Sequence, residues 1–197
     1  MDARHIITGY AQGLFPMDEP GAAELPWWVA DPRTVFELDP ASLTALRRRV
    51  RRSLRAQPWV LRVDAAFDEV IEHCGRPRGP GDGVWLTPRM HAMYRTLHAA
   101  GFAHTFEVWH AGRLAAGLIG VTIGRAAMLE SMFHREPHAG NALVALTLEA
   151  LARGGCELCD IQTATEHTLR LGAVQIPRAQ YEARLARALS VAPATAD

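Results

Sequence analysis

Residues 104–162, HTFEVWHAGRLAAGLIGVTIGRAAMLESMFHREPHAGNALVALTLEALARGGCELCDIQ, decide the fold. HTFEVWH, RLAAGLIGVTIG and AAMLESMF read as three successive strands, the first two joined by a turn at AGR (111–113). A loop, HREPHAG, leads into NALVALTLEALARGG, a strong helical run closed by Gly154 and Gly155. CELCDIQ (156–162) then reads as another strand. Antiparallel strands, a loop, a helix and a returning strand predict an α+β architecture.

Upstream of this core, TPRMHAMYRTLHAAG predicts a helix from Thr87 or Pro88 to Gly101, with Met90, Met93, Tyr94 and Leu97 on one side. WVLRVD is strand-like, VDAAFDEVIEHC is helical, and GRPRGPGDG is a turn-rich loop. DPASLTALRRRVRRSLRAQ (39–57) reads as one helix, with Asp39 as N-cap, Pro40 in the first turn and Leu43, Leu46, Val50 and Leu54 on one face. Residues 1–35 open with a short helix and continue through an irregular, aromatic, Pro/Gly-rich stretch. Downstream, helices are expected at 166–171 and 179–189, separated by VQIPR. This divides the chain into a reduced N-terminal region with a basic helix (1–60), the α+β domain (61–190) and a flexible tail (191–197).

All 21 basic residues of the 197-residue chain are arginine, which excludes chemistry built on an active-site lysine. They balance 21 acidic residues, so any nucleic-acid contact must come from a local patch. Such a patch exists: six of the nine residues from Arg47 to Arg55 are arginine, with no acidic residue between Asp39 and Asp64. Arg47, Arg48, Arg51, Arg52 and Arg55 are therefore candidates for phosphate contact. The three cysteines form neither a disulfide framework nor a metal-ligand set, since Cys156 and Cys159, three apart on a strand, face opposite sides. No metal and no cofactor are expected. The longest uncharged apolar stretch, Leu114–Gly124, is too short to span a bilayer, and no signal peptide is visible, so a cytoplasmic protein without membrane attachment is expected.

Polar residues interrupt two of the apolar strands. By simple alternation Glu130 and Met132 share one face, Leu129 and Ser131 the other, and Asp160 and Gln162 share a face of CELCDIQ. Burying an isolated carboxylate costs several kcal/mol, so Glu130, Asp160 and Gln162 point to a cleft where two strands meet, or else to a structural cap and an arginine pair. Trp27, Trp28 and Trp85 are aromatics suited to stacking on an unpaired nucleotide or to core packing.

The strand and helix order is similar to the GNAT-like acyltransferase core. More specifically, GYAQGLFPM, PWWVADPRTVF, the basic helix ending RRSLR, VWLTPRMHAMYRTLHAAGFAHTFEVW, GRLAAGLIGV, ESMF and DIQTATEHTLRLGAVQIPRAQY, in order over roughly residues 8–185, resemble the leucyl/phenylalanyl-tRNA–protein transferase family. That resemblance implies transfer of Leu or Phe from aminoacyl-tRNA to the N-terminus of a protein beginning with Arg or Lys, marking it for degradation. It places the family's functional carboxylate on Glu130 and its Asp and Gln on Asp160 and Gln162; for aminolysis of an activated ester the expected roles are Asp160 orienting Gln162, the Gln162 carbonyl accepting a proton from the attacking amine, and Glu130 holding the cationic acceptor. It places Trp85 near the tRNA 3′ adenosine, Met132 and Leu118 in the aminoacyl pocket, and the arginine helix on tRNA. The chain carries Met17 where the family has tryptophan, with Trp27 and Trp28 as possible substitutes. It carries Leu129 where a glycine precedes ESMF, narrowing the pocket, and HAGN where a Ser-Lys pair is common. The alternatives are a non-catalytic binder of tRNA or N-terminal peptide, and an acyl-CoA-dependent acyltransferase, against which the glycine spacing of HREPHAGNA counts.

Overall fold

The computed structural model describes residues 2–19, 21–77 and 86–190. In chain order the elements are α1 (Ala3–Ala11), β1 (Phe15–Pro16), β2 (Trp27–Trp28), β3 (Arg33–Phe36), α2 (Pro40–Arg49), α3 (Arg51–Ala56), β4 (Val60–Val63), α4 (Phe67–Cys74), α5 (Pro88–Ala99), β5 (Ala103–His110), β6 (Arg113–Ile123), β7 (Ala126–His134), α6 (Ala139–Arg153), β8 (Leu158–Asp160), α7 (Glu166–Leu171), β9 (Val174–Ile176) and α8 (Arg178–Ser190). Local chemistry sets several boundaries. Asp39 caps α2 by accepting from the backbone of Ala41 and Ser42 at 2.9 and 3.1 Å, ahead of Pro40. Thr87 caps α5 ahead of Pro88 in the same way.

Seven strands form one mixed sheet in the order β4-β5-β6-β7-β8-β3-β9, and β1 and β2 form a separate two-stranded ribbon. Strands β4 to β7 are antiparallel neighbours, β8 joins β7 in parallel, and β3 and β9 continue antiparallel. Helices cover both faces. Ile6 and Tyr10 of α1, Val70 and Ile71 of α4, Met90 and Tyr94 of α5 and Leu185 of α8 pack one side. Leu46 of α2 and Leu143, Val144 and Leu148 of α6 pack the other. A strand buried on both faces has no polar side, which explains the unbroken apolar run of β6.

The structure corrects four expectations. The segment around Arg33, expected to be irregular, is a strand, and it lies inside the sheet between β8 and β9. The basic helix is two helices, broken where Val50, 2% exposed, is drawn into the core and leaves helical geometry. Strand β7 carries a bulge: Gly120 opposes Leu129 and Ile119 opposes Ser131, leaving Glu130 without a partner. The extra residue reverses the alternation, so Met132 joins Leu118 and Leu129 on the α6 side rather than sharing a face with Glu130. Finally, β8 ends at Asp160, and Gln162, with φ +58°, sits in a left-handed turn rather than on the strand. The expected tail, 191–197, lies outside the described residues.

A buried ion pair locks the inserted strand. Arg33 is 1% exposed and grips both oxygens of fully buried Asp160, Nε to Oδ1 at 2.9 Å and Nη2 to Oδ2 at 2.6 Å. Removing the cation strands a buried carboxylate, so Arg33→Met should lower unfolding free energy by about 3–5 kcal/mol. Urea denaturation followed by circular dichroism checks this; a loss below about 1 kcal/mol would show that the pair does not hold β3 in place.

Candidate active site

The chain reaches the site through the same pair. Its guanidinium also donates to Gly13 O at 3.0 Å and is sandwiched between the rings of Phe15 and Tyr181, 4.9 and 4.5 Å from their centroids. Burial works against the Arg33 charge, but the hydrogen bonds and charge of Asp160 outweigh it and raise the Arg33 pKa. Asp160 accepts two further bonds, from Tyr181 Oη at 3.0 Å and from the backbone N–H of Gln162 at 2.8 Å. Four donor contacts on one carboxylate satisfy it without solvent.

The bond to the Gln162 backbone shapes the site. A non-glycine residue in the left-handed region costs of order 1 kcal/mol or more, and here the turn is held from both ends. Asp160 takes the N–H of Gln162, and the Gln162 carbonyl accepts from Thr34 N at 3.0 Å. The side-chain amide, assigned by its hydrogen bonding, donates to the carbonyls of Ile161 at 2.9 Å and Leu129 at 3.1 Å. These bonds tie Gln162 to β7, beside the bulge.

Gln162 and Glu130 line a cavity of about 280 Å³ whose other walls are mainly apolar, including Phe15, Met17, Leu118, Leu129, Met132 and Val144. Burial pushes the Glu130 carboxyl up to about 8. Met17 faces this space on a segment fixed from behind: the Trp28 indole donates to Met17 O at 3.1 Å, and the adjacent Asp18 pairs with Arg89 of α5. Hydrogen bonds from Arg89, the largest cause, hold the Asp18 carboxyl below its ordinary range.

The expected site residues therefore divide. Glu130, Gln162, Leu118, Leu129 and Met132 meet at one cavity. Asp160 stands behind it. Trp27 and Trp28 do not line it: Trp27 packs edge-on against Tyr10, 5.8 Å between centroids, and over Gly9, and Trp28 braces Met17. Trp85 lies outside the described residues. Sequence reasoning missed Arg33; a lone arginine in the otherwise apolar run TVF was its signal, because the acid of CELCDIQ required a partner.

The arginines also divide. Arg51, Arg52 and Arg55 of α3 line a space of about 420 Å³ with His138. His138 also borders a neighbouring cleft of about 700 Å³, lined by His73, Arg76, His134, Arg135 and His167 and reaching Met132. The arginine-lined space of α3 thus continues through a histidine-lined cleft to the apolar cavity, and in that cleft Arg76 and Arg135 are paired with Glu72 and Glu69. Arg47 is instead engaged by Glu149 of α6, with Nη1 2.6 and 2.7 Å from its two oxygens, so the helix is partly neutralised from a distant part of the chain. Arg48 is exposed on α2 and lines none of these cavities. Among the described residues no cluster of three or more His, Cys, Asp or Glu could hold a metal ion, and no helix is long and apolar enough to cross a membrane.

Comparison with known proteins places this geometry. FemX, a solved structure, is similar in fold alone, with a TM-score of 0.53 at 11% identity over 92% of this chain and 70% of that one. A leucyl/phenylalanyl-tRNA–protein transferase from Anaeromyxobacter sp. (strain K) is 43% identical over 192 residues, covering 96% of this chain and 80% of its own. The one from Thiobacillus denitrificans (strain ATCC 25259 / T1) is 41% identical over 191 residues, covering 97% and 82%. The family model for leucyl/phenylalanyl-tRNA protein transferase matches residues 38–186. With most of its length aligned to such relatives, the chain belongs to the leucyl/phenylalanyl-tRNA–protein transferase family.

Proposed function

We propose that the protein transfers Leu or Phe from aminoacyl-tRNA to the N-terminal amine of an acceptor protein beginning with Arg or Lys, as a mark for degradation. Within the mixed sheet, the parallel step from β7 to β8 is read as the centre of a GNAT-like acyltransferase core. The reaction is assigned to the cytoplasm, where charged tRNA is available. The observation that carries this reading is the apolar cavity with Gln162 and Glu130 in its wall, reached through a polar cleft from the arginines of α3.

The chemistry is aminolysis of an activated ester, which needs positioning and proton transfer rather than a covalent nucleophile. The side chain transferred sits against Leu118, Leu129 and Met132, and Met17 closes the pocket. Size selection by such walls is modest, ~1–3 kcal/mol per methylene. Gln162, its amide nitrogen held by two backbone carbonyls, offers its carbonyl oxygen to an N–H of the attacking amine. Asp160 orients it through the backbone, and Glu130 receives the cationic acceptor. Arg51, Arg52 and Arg55 hold acceptor-stem phosphates without reading sequence.

Two measurements test this. With tRNAs bearing radiolabelled amino acids and a peptide starting with Arg, label from Leu-tRNA or Phe-tRNA should reach the peptide, and Asp160→Ala should slow transfer by about 100-fold, the order expected for a misplaced catalytic group. No transfer from any tRNA, or a rate indifferent to Asp160→Ala, contradicts the reading. In filter binding, the Arg51→Ala/Arg52→Ala/Arg55→Ala variant should reduce the slope of log K against log salt by roughly 2–3, since each duplex phosphate no longer neutralised lowers it by about 0.9. Arg47→Ala, already neutralised by Glu149, should change it less; equal effects would contradict that role for α3.

A further inference from the structure

The mechanism above leaves a proton without a destination. An amide carbonyl such as that of Gln162 orients an amine through a hydrogen bond but is too weak a base to keep its proton. Three atoms of the structure bear on this. Tyr10 Oη, Tyr94 Oη and Glu130 Oε1 are each sealed from solvent; none makes a hydrogen bond of ordinary geometry among the described residues, and the groups they turn to are one another. Both tyrosines are 0% exposed. They come from different helices, α1 and α5, yet their phenols and the Glu130 carboxyl act electrostatically on one another. A buried polar atom left unsatisfied costs about 1–3 kcal/mol, so three that can turn only to one another, short of ordinary hydrogen-bond geometry, are not accounted for by packing alone. The remainder of Glu130 reaches the cavity wall. The β7 bulge is what turns it toward the tyrosines, away from Leu129 and Met132.

We propose that Glu130 takes the proton from the attacking amine, and that Tyr10 and Tyr94 are positioning residues that hold its carboxylate for that step. This rests on the transfer reading above. As the amine nitrogen bonds to the ester carbonyl carbon, its proton passes to Glu130. When the bond from that carbon to the tRNA 3′ oxygen breaks, Glu130 returns the proton to the departing oxygen, and the enzyme ends as it began. The phenols supply donors that favour the ionised carboxylate, and their alignment tightens when substrate is bound.

The charged and titratable groups around Glu130 are Tyr10 from α1, Tyr94 from α5, Arg33 from β3, Asp160 from β8 and Tyr181 from α8. Arg33 is already matched to Asp160, so among the described residues Glu130 has no cation of its own. Burial therefore keeps it protonated to about pH 8, and the phenols pull in the opposite direction.

The test is the pH profile of peptide aminoacylation, read as kcat and KM for the peptide between pH 6 and 9.5. Glu130→Gln should lower kcat by about 10²–10⁴-fold, the size of a general-base contribution, in addition to any rise in peptide KM from the lost acceptor contact. The Tyr10→Phe/Tyr94→Phe variant, compared on the same peptide so that the peptide's own amine cancels, should move the rising limb to higher pH by roughly one unit. Thermal melts establish that both variants fold. Glu130→Gln raising KM at unchanged kcat would show that Glu130 only holds a cation. A double tyrosine variant slowed equally at every pH would show that the phenols only pack, and either result overturns the proposal while leaving the transfer reading intact. A wild-type protein that transfers nothing would overturn both.

Discussion

A single buried ion pair, Arg33 with Asp160, joins fold and site. Two charges at 0–1% exposure are tolerated because the guanidinium meets both carboxylate oxygens, stacks between Phe15 and Tyr181 and bonds the Gly13 carbonyl. That one side chain thus ties the sheet to the N-terminal segment and to α8. On the other side, the fourth contact of Asp160 goes to the backbone of Gln162 and fixes the left-handed turn in which β8 ends. A hydrophobic pair of equal volume could join the same strands with less desolvation, but it could not accept the Gln162 N–H.

The second device is the bulge at Glu130. Without it, strict alternation would place Glu130 beside Met132, against an apolar wall. With it, Leu118, Leu129 and Met132 form a continuous apolar surface facing α6, and the carboxyl turns toward Tyr10 and Tyr94 on the opposite face. One inserted residue separates the part of the cavity suited to an apolar side chain from the part suited to proton chemistry. The space beside α3 connects to the cavity through the cleft that ends at Met132, which on the proposed reading leaves the tRNA outside and its apolar end within.

Much of this was legible in the sequence. The apolar runs from 104 to 162 read as three strands, a helix and a returning strand because long periodic segments override local ambiguity, and Asp39 and Thr87 marked helix starts by capping chemistry. Glu130, Asp160 and Gln162 stood out because carboxylates and amides inside apolar strands must be satisfied somewhere. Three things were not legible. A bulge leaves no trace in alternation, so the face of Met132 was misassigned. The four residues of β3 are too few to show a period, and their place between β8 and β9 depends on a partner 127 residues away. The Arg47–Glu149 contact, likewise, joins residues no local pattern connects. Tyr94 stood on the apolar side of its helix, but nothing local shows that it meets Tyr10 of α1 at Glu130.

The central claim is that Asp160 acts on the reaction through Gln162. A double-mutant cycle tests it most directly, with transfer rates measured for Asp160→Asn, Gln162→Ala and the combination. If the carboxylate works by holding the turn that presents the amide, the second substitution should cost little once the first is made, and the combined loss should fall well short of the product of the single losses. Losses that multiply fully would contradict the account, because they would mean that Asp160 and Gln162 contribute independently.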